Sequence, residues 1–132
     1  MIRKYSKIKD GEKQVTPNFK VREFACRDGT DEILICDEVA KLLQAIRSYF
    51  NKPLVINSGY RTPAYNNAVK GALDSQHLHG KAADFNVTGV TPIAVRSAIE
   101  SGKIPLVDPT KIGLGYYNDF THIDSRGKKA RF

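Results

Sequence analysis

The segment Lys81–Val87 places one acidic residue inside an otherwise strand-like, mostly apolar run. In an extended strand, Ala82, Asp84 and Asn86 share one face, and the residues between them point to the other. A carboxylate buried in a sheet is costly unless cations surround it or a metal ion binds it. Any fold of this chain must therefore bring such partners to Asp84.

All three histidines of the chain are candidates for that role. His77 and His79 lie in the run that enters this strand, and His122 lies in a second strand-like run, with Asp124 two residues later. Two imidazoles and one carboxylate are a ligand set of catalytic zinc, which keeps a fourth position open for water. The alternative is a hydrogen-bonded His/Asp cluster that stabilises a turn. Spacing alone does not choose between His77 and His79.

Apolar spacing and capping signals predict three helices. Residues 37–50 carry apolar side chains along one face at the helical period. Two Thr-Pro pairs, at residues 62–63 and 91–92, each provide a hydroxyl cap followed by proline at the first helical position. Gly71 and Gly102 are predicted to end these two helices.

Strand signals complete the predicted fold. They occur at residues 53–58, 81–87, 113–117 and 120–124, and the last two are separated by Asn118 and Asp119, which are typical of a turn. A hairpin is therefore expected there. The fold class is α+β, a small single domain with helices packed against a mostly antiparallel sheet.

The length of 132 residues fits one domain, since a chain of this size can form a hydrophobic core without disulfide bonds or a structural metal ion. Residues 1–15 are lysine-rich and aperiodic, so they are expected to be a basic arm or a surface strap beside a domain of residues 16–132. Cys26 and Cys36 form no CxxC motif. They are either packed as reduced thiols or joined in a single disulfide.

The net charge of +7 predicts an anionic partner, such as nucleic acid, acidic lipid or a cell-wall polymer. The basic residues are scattered and no RNA-module motif occurs, so nucleic acid is not expected. No apolar run approaches the ~20 residues of a membrane span, and no signal peptide is expected because the basic start lacks an apolar segment behind it. The protein is expected to be a monomer.

The run Ser75–Asp84, SQHLHGKAAD, resembles the SxHxxGxAxD motif of the M15 family of zinc peptidases. The runs at residues 58–63 (SGYRTP) and 121–124 (THID) are similar to the family's other blocks, in the same order. The resemblance covers about residues 18–132 and is strongest to the small single-domain branch of bacteria and their phages. It implies the α+β fold of hedgehog and DD-peptidase type.

This resemblance implies a Zn²⁺ ion held by His77, Asp84 and His122. His79 then occupies a variable position of the motif, as a loop residue near the site. Asp124 is expected to orient an imidazole or Arg126 rather than to act directly.

The resemblance also implies the groups that act on substrate. Asp119 takes the place of the general base, which is commonly a glutamate three residues before the last histidine. Arg61 matches the arginine that holds a substrate carboxylate or carbonyl, although a capping or surface role is the alternative. Ser75 matches a residue that contacts substrate.

The implied activity is hydrolysis of peptide bonds in peptidoglycan stem peptides. The enzyme would be a D-Ala-D-Ala carboxypeptidase, or an endolysin-like endopeptidase for an L-Ala-D-Glu or cross-bridge bond. It would act at the bacterial cell wall, and stay cytoplasmic until release or belong to a phage or cell-wall assembly. The alternative, favoured by Asp119 in place of glutamate, is a non-catalytic wall-binding or structural module with the same fold.

Overall fold

Nine strands and four helices make up the computed structural model, which describes residues 1–132. The strands are β1 (Ile2–Ser6), β2 (Gln14–Thr16), β3 (Phe19–Lys20), β4 (Glu32–Cys36), β5 (Leu54–Ser58), β6 (Ala82–Val87), β7 (Gly113–Tyr116), β8 (Thr121–Asp124) and β9 (Ala130–Arg131). The helices are α1 (Lys7–Asp10), α2 (Asp37–Phe50), α3 (Pro63–Ala68) and α4 (Pro92–Glu100). Single 3₁₀ turns occur at Val21–Phe24, Gln76–His79 and Pro109–Lys111. The predicted α+β class is confirmed.

None of these helices combines the length and apolar character that crossing a membrane requires.

A five-stranded sheet in the order β5-β6-β8-β7-β9 carries the residues of interest. Its pairs are antiparallel except for β7 and β9, which run parallel, so the mostly antiparallel sheet and the β7–β8 hairpin are confirmed. Strand β6 lies between β5 and β8. Its register places Asp84 opposite Ser58 on one side and opposite His122 on the other.

The face of β6 that turns away from Asp84 packs into the core. Ala83, Phe85 and Val87 are buried members of a cluster of 26 residues, to which α2 contributes its apolar face. Helix α2 has the bounds that its periodicity predicts. Cys26 and Cys36 are buried in the same cluster as separate free thiols, which corresponds to the reduced alternative.

Both Thr-Pro signals begin helices as predicted. The hydroxyls of Thr62 and Thr91 accept the N–H groups of Tyr65 and Ala94 at 3.1 Å. Helix α3 ends at Ala68, three residues before the glycine predicted to end it. The chain has already left the helix by then, because Lys70 adopts a left-handed backbone conformation with φ 57°.

The first fifteen residues include β1, α1 and the start of β2, an arrangement closer to the surface strap than to the free arm. Strand β1 pairs antiparallel with β4, and the amino group of Met1 lies 2.9 Å from Glu38. Ladder hydrogen bonds join backbone groups, so a mostly solvent-facing strand can form without apolar alternation. The boundary drawn at residue 15 stays a prediction.

Gly80 ends the 3₁₀ turn that carries His77, with a left-handed φ of 68°. A Cβ atom there would overlap the backbone carbonyl of Leu34, whereas one at Gly89 (φ 77°) would meet no atom within 4 Å. Gly89→Ala should therefore cost only the conformational penalty of about 1–2 kcal/mol. Gly80→Ala should cost about 2 kcal/mol more, because the turn must move away from β4.

Thermal unfolding of the two metal-free variants measures this difference. Equal losses of stability for Gly80→Ala and Gly89→Ala would show that the close approach to Leu34 does not constrain the turn.

Candidate metal centre

Three side chains from separate elements meet beside the paired strands β6 and β8. Asp84 comes from β6, His122 from β8 and His77 from the 3₁₀ turn, and their ligand-type atoms lie within 4.8 Å of one another. Asp84 Oδ1 is 2.9 Å from His122 Nδ1 and 3.3 Å from His77 Nε2. All three side chains are buried. The sheet register creates one of these contacts directly, because Asp84 and His122 are cross-strand partners.

The outer nitrogen of His77 fixes how this ring is protonated. His77 Nδ1 lies 2.6 Å from the carbonyl oxygen of Gly59. A carbonyl oxygen can only accept, so Nδ1 carries the proton and donates it. In the neutral ring, Nε2 therefore presents a lone pair toward Asp84.

The ring of His122 is oriented in the same way by Asp124. His122 Nε2 lies 2.8 Å from Asp124 Oδ2, and this fully buried carboxylate also accepts from Arg126 at 2.7 and 2.8 Å and from the Gly113 N–H at 3.2 Å. Burial opposes its ionisation, but the hydrogen bonds from Arg126 and His122 hold the pKa of Asp124 below its usual range. An ionised carboxylate only accepts. Nε2 of His122 therefore carries the proton, and Nδ1 faces Asp84 with its lone pair.

Two imidazole lone pairs and a carboxylate oxygen thus converge on one point. Burial raises the pKa of Asp84, yet the hydrogen bonds that it accepts from His122 and His77 when these rings carry a second proton lower it below its usual range, so this group is ionised too. Three acceptors repel one another unless a cation lies between them. Without a metal that cation is a proton: burial lowers the pKa of His122, but its bonds to Asp124 and Asp84 raise it overall. Two nitrogens and one carboxylate oxygen also suit a divalent transition metal.

Arg61 adds a positive charge on the second oxygen of Asp84. Its terminal nitrogen lies 3.2 Å from Asp84 Oδ2, its Nε donates to Ser58 at 3.2 Å, and its other terminal nitrogen donates to Asn66 at 3.3 Å. A guanidinium has five N–H groups, so two remain for a ligand. Arg61 also lines the cleft beside the cluster.

A cleft of about 570 Å³ opens beside the three converging side chains. Arg61, Ser75 and Arg126 contribute polar groups to its lining, and Tyr117 and Phe120 contribute aromatic rings. The hydroxyl of Ser75 accepts the N–H of His77 at 3.2 Å and so helps to hold that turn.

Two of the residues considered from the sequence lie apart from this cluster. His79 is half exposed and pairs with Asp74 at 3.2 Å, so the turn directs it to the surface. Asp119 is exposed on the turn before β8, outside the cleft lining, and only its backbone carbonyl is held, by Asn86 at 2.8 Å.

Sequence reasoning missed three groups that shape the site. Asn66 is buried and accepts from Arg61, the carbonyl of Gly59 orients His77, and Gly113 leaves room for the carboxylate of Asp124. A buried asparagine in a short polar helix carries a weak signal. A backbone carbonyl carries none, because every residue has one.

Residues 14–124 match the family model described as "Peptidase M15". The zinc D-Ala-D-Ala carboxypeptidase of Streptomyces albus G is 33% identical over 93 residues, 68% of this chain and 34% of that protein. The peptidoglycan L,D-endopeptidase MepK of Escherichia coli is 33% identical over 81 residues, 56% of this chain and 41% of that protein. The probable MepK of Haemophilus influenzae is 35% identical over 83 residues, 57% of this chain and 40% of that protein. The match with this chain therefore spans 34–41% of the length of these relatives.

We expect the protein to bind one divalent metal ion such as zinc through the converging nitrogens and Asp84. His122→Ala should weaken binding by more than the ~10–100-fold typical of losing an outer partner, because it removes a ligand. His79→Ala is the matched control and should bind as the wild type does. Calorimetric titration of the metal-free proteins measures both. Equal affinities of the His122→Ala variant and the wild type would exclude this site.

The same affinity should fall as the solution is acidified. A metal ion binds only the neutral imidazole, so protons compete with it for His122. Because the pKa of His122 is raised above the ordinary value of 6.5, this competition begins at a higher pH than for a free histidine. Titrations between about pH 8 and pH 5.5 should show steadily weaker binding toward low pH. A constant affinity over this range would mean that no imidazole is a ligand.

Proposed function

The chain belongs to the M15 peptidase family, and from this premise we propose that it is a zinc-dependent peptidase acting on the peptides of bacterial peptidoglycan. The observation that carries the proposal is the convergence of two imidazole lone pairs and an ionised carboxylate at the edge of a cleft. A purely structural cluster with neutral imidazoles would instead direct a ring N–H at Asp84.

In this proposal His77, Asp84 and His122 hold the zinc ion. Three protein ligands leave one coordination position for water or substrate, as catalytic zinc sites require. Zinc bound there would lower the pKa of a water ligand and polarise the carbonyl of the scissile bond. The outer partners of both imidazoles keep the rings oriented throughout the reaction.

Arg61 is the proposed substrate-holding residue. Ser58, Asn66 and Asp84 each accept one of its N–H groups, and the two that remain are available at the cleft. They can bind a substrate carboxylate, or the carbonyl oxygen whose negative charge grows during attack. Ser75 also lines the cleft, and its hydroxyl proton is available to a substrate carbonyl.

Asp119 is the proposed general base. Its carboxylate makes no hydrogen bond or ion pair within the chain, so it is available to accept a proton from the attacking water and pass it to the leaving amine. It lies three residues before His122, on the turn whose rings line the cleft. Its exposed position outside that lining is the observation that favours the alternative, a module that binds the cell wall without cleaving it.

The names of two relatives indicate two possible bonds. A carboxypeptidase would remove a terminal D-alanine, whereas an endopeptidase would cut within the stem peptide or a cross-bridge. Either activity would place the protein at the bacterial cell wall, for example as an endolysin. Its charge of +7 suits that anionic surface, and a monomer is sufficient for the proposed site.

Mass spectrometry of purified muropeptides tests the proposed function. The zinc-loaded protein should release an amino acid or a peptide fragment, and the product identifies the bond. A chelator or the His77→Ala substitution should abolish release, and zinc should restore it only in the chelated wild type. Binding to peptidoglycan without release of any product would instead support the wall-binding module.

Asp119→Asn tests the base assignment. Asparagine suits a turn as well as aspartate does but cannot take a proton, so turnover should fall about a hundredfold while zinc content is unchanged. Asp119→Glu, which has the longer side chain common in the family, should keep appreciable activity. Full activity of the Asn variant would show that Asp119 is only a turn residue.

A further inference from the structure

Arg96 is a buried cation with no acidic partner. It lies on α4 with 7% of its surface exposed and forms no salt bridge within the chain. One terminal nitrogen donates to two backbone carbonyls, those of Tyr117 at 2.9 Å and Phe120 at 3.2 Å. Its guanidinium lies 4.8 Å from the centre of the Tyr116 ring, and its Nε has no hydrogen-bond partner.

Those two carbonyls belong to the first and last residues of the loop at residues 117–120, here called the hairpin turn. A third carbonyl of the same turn, that of Asp119, accepts from Asn86 at 2.8 Å. Asn86 is itself fixed by Asn57, whose amide donates to its oxygen at 2.7 Å. Side chains from α4 and β6 therefore hold three of the four carbonyls of the hairpin turn.

The hairpin turn forms one wall of the cleft. The rings of Tyr117 and Phe120 stack with centroids 4.5 Å apart at an interplanar angle of 11°, and both line the cleft. The stacked pair and Asp119 are thus placed by one short segment, and Arg96 joins its two ends.

Burying a guanidinium without a carboxylate partner has a large desolvation penalty, so such a residue is not expected to stabilise the fold by itself. An apolar residue of similar volume at such a position is often neutral or even stabilising. Arg96 therefore needs another explanation, and both of its hydrogen bonds go to the two ends of the hairpin turn.

We propose that Arg96 is a positioning residue, which together with Asn86 holds the hairpin turn so that Tyr117, Phe120 and Asp119 stand correctly beside the metal site. The inference rests on the proposed peptidase function. Displacing groups beside a reacting centre by about 1 Å can cost about a hundredfold in rate. The role is indirect, since Arg96 does not line the cleft.

Arg96→Met removes the donors while keeping an unbranched side chain. It should fold, bind zinc with the wild-type stoichiometry and lose about tenfold to a hundredfold in kcat/KM on muropeptides. A lower kcat is expected if Asp119 is misplaced. A higher KM is expected if the stacked rings of Tyr117 and Phe120 are misplaced. Arg96→Lys, which retains a cation that can donate to one or both carbonyls, should recover part of the activity.

Arg27→Met is the control for the loss of two carbonyl contacts at an exposed arginine. Arg27 also donates to two backbone carbonyls, those of Ile56 at 2.7 Å and Asn57 at 2.9 Å, but it lies outside the cleft lining. Its kcat/KM should stay within about twofold of the wild type. An equal loss of activity in Arg96→Met and Arg27→Met, or wild-type activity of Arg96→Met, would overturn the positioning role.

Amide hydrogen exchange followed by mass spectrometry separates this inference from the proposed function. In Arg96→Met, fragments covering residues 117–121 should exchange faster than in the wild type or in Arg27→Met, whatever the enzymatic activity. Unchanged exchange there would overturn the inference. If the wild type hydrolyses no muropeptide while exchange responds as expected, only the proposed catalysis and the catalytic part of the inference fail.

Discussion

The ionised carboxylate of Asp84, buried on the inner strand β6 of the sheet, is the constraint on which the rest of the structure depends. Three groups face it and offset its desolvation: Arg61 donates to it, and His122 and His77 hold a proton or a metal ion against it. Each contact requires a specific piece of the fold. The antiparallel register places His122 opposite Asp84. The turn that ends at Gly80 positions His77, and the segment between β5 and α3 positions Arg61.

The parts of the fold that sequence could predict are those whose signal is local. The apolar face of residues 37–50 predicts helix α2, and the alternation about Asp84 predicts strand β6. Both elements lie where predicted. Strand β1 could not be found in this way. Its stability comes from backbone hydrogen bonds to β4, and its side chains mostly face solvent, so its sequence shows no apolar period. Helix α3 shows the same limit, since its end is set by the conformation of Lys70 rather than by Gly71.

In the candidate site, too, only the residues with a local sequence signal could be predicted. His77, Asp84 and His122 could be proposed because a buried carboxylate demands partners and the family motif has their spacing. Arg96 and Asn86 could not, because they bind carbonyls of a hairpin turn that is remote in sequence, and a carbonyl has no sequence signature. The position of Asp119 along the chain could be predicted, but the direction of its side chain depends on how that turn is held.

Two groups outside this cluster favour the proposed metal site over the alternative, a hydrogen-bonded cluster. From the sequence, His77, His122 and Asp84 could equally form a hydrogen-bonded cluster in which an imidazole N–H donates to Asp84. The carbonyl of Gly59 and the carboxylate of Asp124 each take the only proton of a neutral ring, so only a ring with a second proton can donate to Asp84. Asp124 can approach because Gly113 has no side chain to exclude it. With both protons committed outward, the inner faces of the rings can only accept, and a site that only accepts is completed by a cation.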